Sequence, residues 1–117
     1  MHHHAMYAES KAAIPAMVRN LAPELAEGNI TINAIAPSAT AIRVAAYAPN
    51  YIHPALVDVP FESLMHSMSA FGRLGQPHEI AVVVAFLVSP DTSFITGITM
   101  AAAGADAHRR CEQRERS

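Results

Sequence analysis

Cysteine is nearly missing from this 117-residue chain. Cys111 stands alone, so no disulfide can close within the chain, and a reducing, cytoplasmic location is the expectation. Neither sign of charge dominates: 8 Lys plus Arg against 10 Asp plus Glu leaves −2, which excludes the positive field of a nucleic-acid-binding domain. No acidic tail is present either. Although 51% of the residues are hydrophobic, proline, asparagine or charge interrupts every apolar stretch well short of a bilayer span. No membrane partner is therefore expected. His53, His66 and His78 are too widely separated for a recognisable metal-ligand spacing, so no metal site is expected. Lysine is the rarest of the basic residues: Lys11 is the only one, beside seven arginines.

The length suits one small domain. Residues 1–6 lack the charged and apolar regions of a signal peptide, and His2 to His4 read as the remnant of an expression tag set apart from the fold. Residues 107–117, with four arginines interleaved by Glu112 and Glu115, read as a polar tail. Between them, residues 7–106 carry the folded pattern. Ile14, Met17, Val18, Leu21 and Leu25 recur at helical steps from Tyr7 to Glu27, with Gly28 as a stop and an irregularity expected near Ile14, ahead of Pro15. Asn29 to Pro37 reads as a buried strand. Ser38 to about Pro60 has no period and reads as a long functional loop, followed by a short helix over Phe61 to Met68. Gly72 to Pro77 is turn chemistry, Pro77 with Glu79 in the first turn starts a helix that runs to about Val88, and Phe94 to Met100 leads into a last short strand that ends near Ala102. The order helix, strand, loop, helix, strand predicts an α/β fold with a small parallel sheet.

Tyr7 and Lys11 lie four residues apart, one above the other on a helix face. A cation held there favours phenolate over phenol, so the tyrosine can exchange a proton near neutral pH. The pattern by itself is short. A surface pair without chemistry has the same spacing.

Five blocks around that pair decide between those readings. Tyr7-Ala8-Glu9-Ser10-Lys11-Ala12-Ala13, Leu21 to Ala26, Ile30 to Pro37, Gly72 to Ala81, and Phe86 to Asp91 continuing into Phe94 to Gly97 resemble, in order and spacing, the C-terminal half of a short-chain dehydrogenase/reductase. Within that family the long loop looks closest to fungal polyketide and hydroxynaphthalene reductases. The resemblance implies a truncated Rossmann-type fold, its small sheet completed by oligomerisation, and a family activity of hydride transfer between NADP or NAD and a carbonyl or alcohol. It makes Tyr7 the general acid/base and Lys11 its electrostatic partner and a ligand of the nicotinamide ribose. It places Pro37, Ser38, Thr40 and Ile42 beside the nicotinamide, and Arg43, Tyr47, Tyr51 and Met65 in the loop that closes over substrate. Phe94 to Gly97 is structural by the same comparison.

The chain departs from the family pattern at several points. The glycine-rich phosphate turn, the residue that selects NAD or NADP, the asparagine and the carbonyl-polarising serine expected before the tyrosine are not in the sequence. Ser38 stands where a glycine is usual, and Ile42 where a threonine is usual. The isolated chain is therefore expected not to bind the dinucleotide. Two classes of function follow. One is an enzyme: the family oxidoreductase, or a cofactor-free isomerase, dehydratase or cyclase acting on a polyketide. The other is a non-catalytic module whose unpaired strand edge and apolar helix drive homo-oligomer formation.

Overall fold

The computed structural model of the chain describes residues 2–41, 58–60, 63, 66 and 68–105. Four elements organise them: helix α1 (His2–Glu27), strand β1 (Ala34–Pro37), helix α2 (Pro77–Leu87) and strand β2 (Thr99–Ala102). The chain forms two compact units, Met1–Ala36 with Val83–Ala101, and Pro37–Val82 with Ala102–Ser117.

α1 differs from the sequence reading at its start. It begins at His2, so the segment expected to lie apart from the fold is the first turn of the helix. It also passes through Ile14, Pro15 and Pro23 as continuous helix. Each proline removes one backbone donor, which frees the carbonyls of Lys11 and Arg19. Both of those residues are exposed, a setting in which solvent can satisfy a freed carbonyl. The helix ends on a left-handed residue, as many do, but the residue is Asn29 (φ 57°) rather than Gly28. Gly28 and Ile30 donate to the Leu25 carbonyl, and Asn29 to that of Ala26.

The strand expected over Asn29 to Pro37 is only Ala34–Pro37. The residues ahead of it are held by side chains instead of a ladder: Ile32 N donates to Thr96 Oγ1 at 3.0 Å and Gly97 N to the Ile32 carbonyl at 2.7 Å. Asn33 Nδ2 donates to the Ile95 carbonyl at 3.1 Å while Asn33 Oδ1 accepts from Ile98 N at 3.3 Å. The last strand is short, Thr99–Ala102, and ends where expected, while Ile95 to Ile98 lead into it and dock against Ile32 and Asn33. β1 and β2 form a two-stranded sheet. Ala34 N donates to Ile98 O and Ser38 N to Ala102 O, so both strands advance in the same direction and the sheet is parallel.

In the first unit Val18 and Ala22, one turn apart on α1, are buried with Ala34 and Leu87. Ile14 and Met17, expected on the same buried stripe, are exposed. Gly97 makes the contact with α1 close: its φ is +74°, and a Cβ there would lie 3.0 Å from that of Ala22. α2 matches its expected span. Thr92, 2% exposed, closes the end of this helix by directing its hydroxyl at the carbonyls of Leu87 and Phe86, and Ser89 Oγ donates to Phe86 O at 2.7 Å. Ser63, His66 and Met68 are helical, in keeping with the short helix read there, and its remaining positions lie outside the described residues. No helix among the described residues is long and apolar enough to cross a membrane.

Candidate functional site

α1 presents Tyr7 and Lys11 one turn apart, as a spacing of four requires. The Lys11 ammonium stands 5.6 Å from the centroid of the Tyr7 ring, within reach of a cation–π attraction. Tyr7 is 64% exposed and Lys11 is exposed. Ser10 Oγ donates back to the Tyr7 carbonyl at 2.7 Å and so adds a local tie to the turn that carries the pair.

The second group of expected site residues lies in the other unit. Pro37 ends β1, and the chain leaves it through Ser38, whose carbonyl accepts from Thr40 Oγ1 at 2.9 Å. Thr40 forms a parallel bridge with Gly75. Gly75 N donates to the Ala39 carbonyl at 3.0 Å, and Ala41 N donates to the Gly75 carbonyl at 2.8 Å. The loop is thus pinned on both sides of Thr40. Ile42, Arg43, Tyr47, Tyr51 and Met65 lie outside the described residues.

The sequence reading missed the pair that organises the turn on the far side of this bridge. Arg73 and Glu79 form a two-pronged ion pair, Nη1 to Oε2 and Nη2 to Oε1, both 2.8 Å. Glu79 is the third residue of α2, where a glutamate reaches back to the backbone ahead of the helix, and its Oε2 accepts from Gln76 N at 2.7 Å. The Arg73 hydrogen bonds, with the Gln76 amide, hold the Glu79 carboxyl down at about 2. A Glu two residues after a helix-starting Pro is the signal that could have revealed this. Among the described residues, no three His, Cys, Asp or Glu side chains gather as a metal site would require.

Residues 1–104 match the family model described as enoyl-(acyl carrier protein) reductase. The chain belongs to the short-chain dehydrogenase/reductases. It is 37% identical over 100 residues to a tropinone reductase homolog of Arabidopsis thaliana, covering 86% of this chain and 36% of that protein. It is 36% identical over 100 residues to a hydroxynaphthalene reductase-like protein of Metarhizium brunneum, covering 80% of this chain and 37% of that one. Among solved structures, a 7α-hydroxysteroid dehydrogenase complexed with NADH and 7-oxo-glycochenodeoxycholic acid superposes with a TM-score of 0.69 at 37% identity, covering 86% of this chain and 36% of the other. The chain spans little more than a third of the length of the curated relatives it matches. Its two parallel strands and their helices therefore correspond to part of a Rossmann-type fold.

Within the first unit Lys11 carries an exposed ammonium, a donor of the kind that could hold a ribose hydroxyl, and within the second unit Ser38 to Ala41 form a loop of small side chains held by Gly75. For the pyrophosphate there is no counterpart: the five glycines, Gly28, Gly72, Gly75, Gly97 and Gly104, nowhere form the closely spaced set that brings backbone donors to a phosphate at a helix start.

Proposed function

We propose that the site performs the proton-transfer half of NAD(P)-dependent carbonyl/alcohol oxidoreduction, with Tyr7 as acid/base and Lys11 as its electrostatic partner. The observation that carries this reading is the exposed Tyr7 ring with the only lysine of the chain one helical turn away, 5.6 Å from its centroid. When bound, the dinucleotide supplies the hydride for reduction or takes it in oxidation. In the reductive direction Tyr7 Oη gives its proton to the carbonyl oxygen of the substrate, and the phenolate that remains is stabilised by the Lys11 ammonium until solvent returns a proton. Pro37, Ser38 and Thr40 border the nicotinamide. The substrate is a small carbonyl compound of the polyketide or hydroxynaphthalene type, in line with the resemblance of the long loop.

With no phosphate turn among its 117 residues, the chain by itself binds the dinucleotide weakly, and catalysis requires the phosphate-binding part of the fold to be supplied. Tyr7→Phe tests the chemistry. In protein that turns over a carbonyl substrate with NADPH, this variant is expected to lose at least about a hundredfold in kcat, in the range of general acid catalysis. Unchanged turnover would remove Tyr7 from the mechanism.

A second reading, a module that associates with copies of itself, is favoured by the exposure of Val82, Phe86, Val88 and Phe94, which leaves part of the apolar surface of α2 and of the segment after it uncovered. A monomer by light scattering at micromolar concentration would end that reading.

A further inference from the structure

The turn between Phe71 and Pro77 contains more organisation than a connection requires. Arg73 folds back along its own backbone, so that Nη1 donates both to the Leu74 carbonyl at 3.1 Å and to Glu79 Oε2, while Nη2 donates to Glu79 Oε1. Glu79 Oε2 in turn accepts from Gln76 N. The ion pair therefore grips the Leu74 carbonyl and the Gln76 amide, the backbone groups on either side of Gly75. Gly75 itself donates to Ala39 O and accepts from Ala41 N. Arg73 also stands 5.8 Å from the centroid of the Phe71 ring, which favours the folded-back conformer.

We propose that Arg73 and Glu79 are positioning residues for the loop Ser38 to Ala41: their two-pronged pair fixes the peptide groups flanking Gly75, and Gly75 fixes the backbone on both sides of Thr40. The proposal rests on the assignment of that loop to the nicotinamide end of the cofactor. Neither side chain takes part in hydride or proton transfer. An ordinary exposed ion pair adds little to stability, but a planar guanidinium clasping a carboxylate restricts orientation as well as distance. The orientation of Gly75 is what the loop senses. The glycine is not needed for its lack of a side chain, since a Cβ there would lie 3.7 Å from Ala39 O and 3.8 Å from Thr40 Oγ1, ordinary contacts.

Amide hydrogen exchange followed by NMR on the whole chain, without cofactor, tests this. Ala41 N and Gly75 N report on the bridge, while Ala34 N and Gly97 N, bonded to Ile98 O and Ile32 O, report on the first unit. In Glu79→Gln and Arg73→Met the Ala41 and Gly75 amides are expected to exchange about tenfold faster with Ala34 and Gly97 unchanged, as loss of a charge-assisted hydrogen bond implies. Gly75→Ala should leave all four rates as they are. Arg73→Lys, which keeps the charge and the fold but not the planar fork, is expected to fall between wild type and Arg73→Met. Ala41 and Gly75 rates that do not rise, a rise shared equally by all four amides, or Arg73→Lys rates equal to wild type would each overturn the proposal. A separate NMR titration of the wild type with reduced nicotinamide mononucleotide, which carries the nicotinamide end and no pyrophosphate, tests the cofactor assignment: selective exchange with no shift of the Ala41 amide would sink that assignment and leave the positioning role standing.

Discussion

Asn33 holds its side-chain amide between two backbone groups, giving a hydrogen to Ile95 O and taking one from Ile98 N, and thereby fastens the segment that leads into β2. An aspartate there could still accept from Ile98 N but would turn a carboxylate oxygen toward the Ile95 carbonyl. Asn33→Asp is expected to destabilise the fold by about 1–3 kcal/mol in urea unfolding, the cost of leaving a partly buried acceptor facing another. Glu79 makes the opposite use of charge. Its folded-state value is depressed from 4.5 to about 2, so the ionised form contributes stability that is fully present above the ordinary carboxylate range and is lost as pH falls through about 2. Arg73, the Gln76 amide and His78 are the groups that favour its ionised form. The melting temperature of wild type relative to Glu79→Gln should accordingly stay constant above about pH 5 and converge on that of the variant between there and pH 2. A difference independent of pH across that interval would show that the charge is not what holds the turn.

At the scale of the element, α2 ends without a basic residue in its last turn, so its terminal carbonyls depend on hydroxyls. The Thr92 hydroxyl lies within 3.2 Å of Phe86 O and 3.0 Å of both Leu87 O and Ser89 O, and it is buried. Thr92→Val keeps the shape and removes the donor, and is expected to lower stability by about 1–2 kcal/mol, with Thr92→Ser losing less, when unfolding is followed by circular dichroism. α2 was legible because Pro77, Glu79 and the apolar spacing from Ile80 to Leu87 all give the same answer. The body of α1 was legible for the same reason, down to the Tyr7 and Lys11 face. The first strand is shorter than its composition suggests. Ile30-Thr31-Ile32 has the composition of a strand, yet its partner segment offers Thr96 Oγ1 and a bend at Gly97 instead of a regular ladder, and composition does not reveal the partner. The Arg73–Glu79 pair escaped notice because its two members meet only through a turn whose path no periodicity encodes.

At the scale of the whole molecule, the described residues bury few apolar side chains. Among the described residues only Val18, Ala22, Ala34 and Leu87 are buried hydrophobics, and two of the four are alanines. Val88 is 78% exposed and Phe94 wholly so. An alanine buries little area, so these four residues gain less from the hydrophobic effect than four large side chains would. Covering the α2 side with a second copy would recover part of that gain, and mass action then ties stability to concentration. If the exposed apolar residues are a self-association surface, the melting temperature of the chain should rise across about a hundredfold increase in protein concentration, because association draws folded chains, and not unfolded ones, out of the unfolding equilibrium. Phe86→Glu, which places a charge on that surface at a position already 47% exposed, should abolish the concentration dependence without lowering the melting temperature of the dilute protein. A melting temperature independent of concentration in the wild type would separate the exposed surface from self-association.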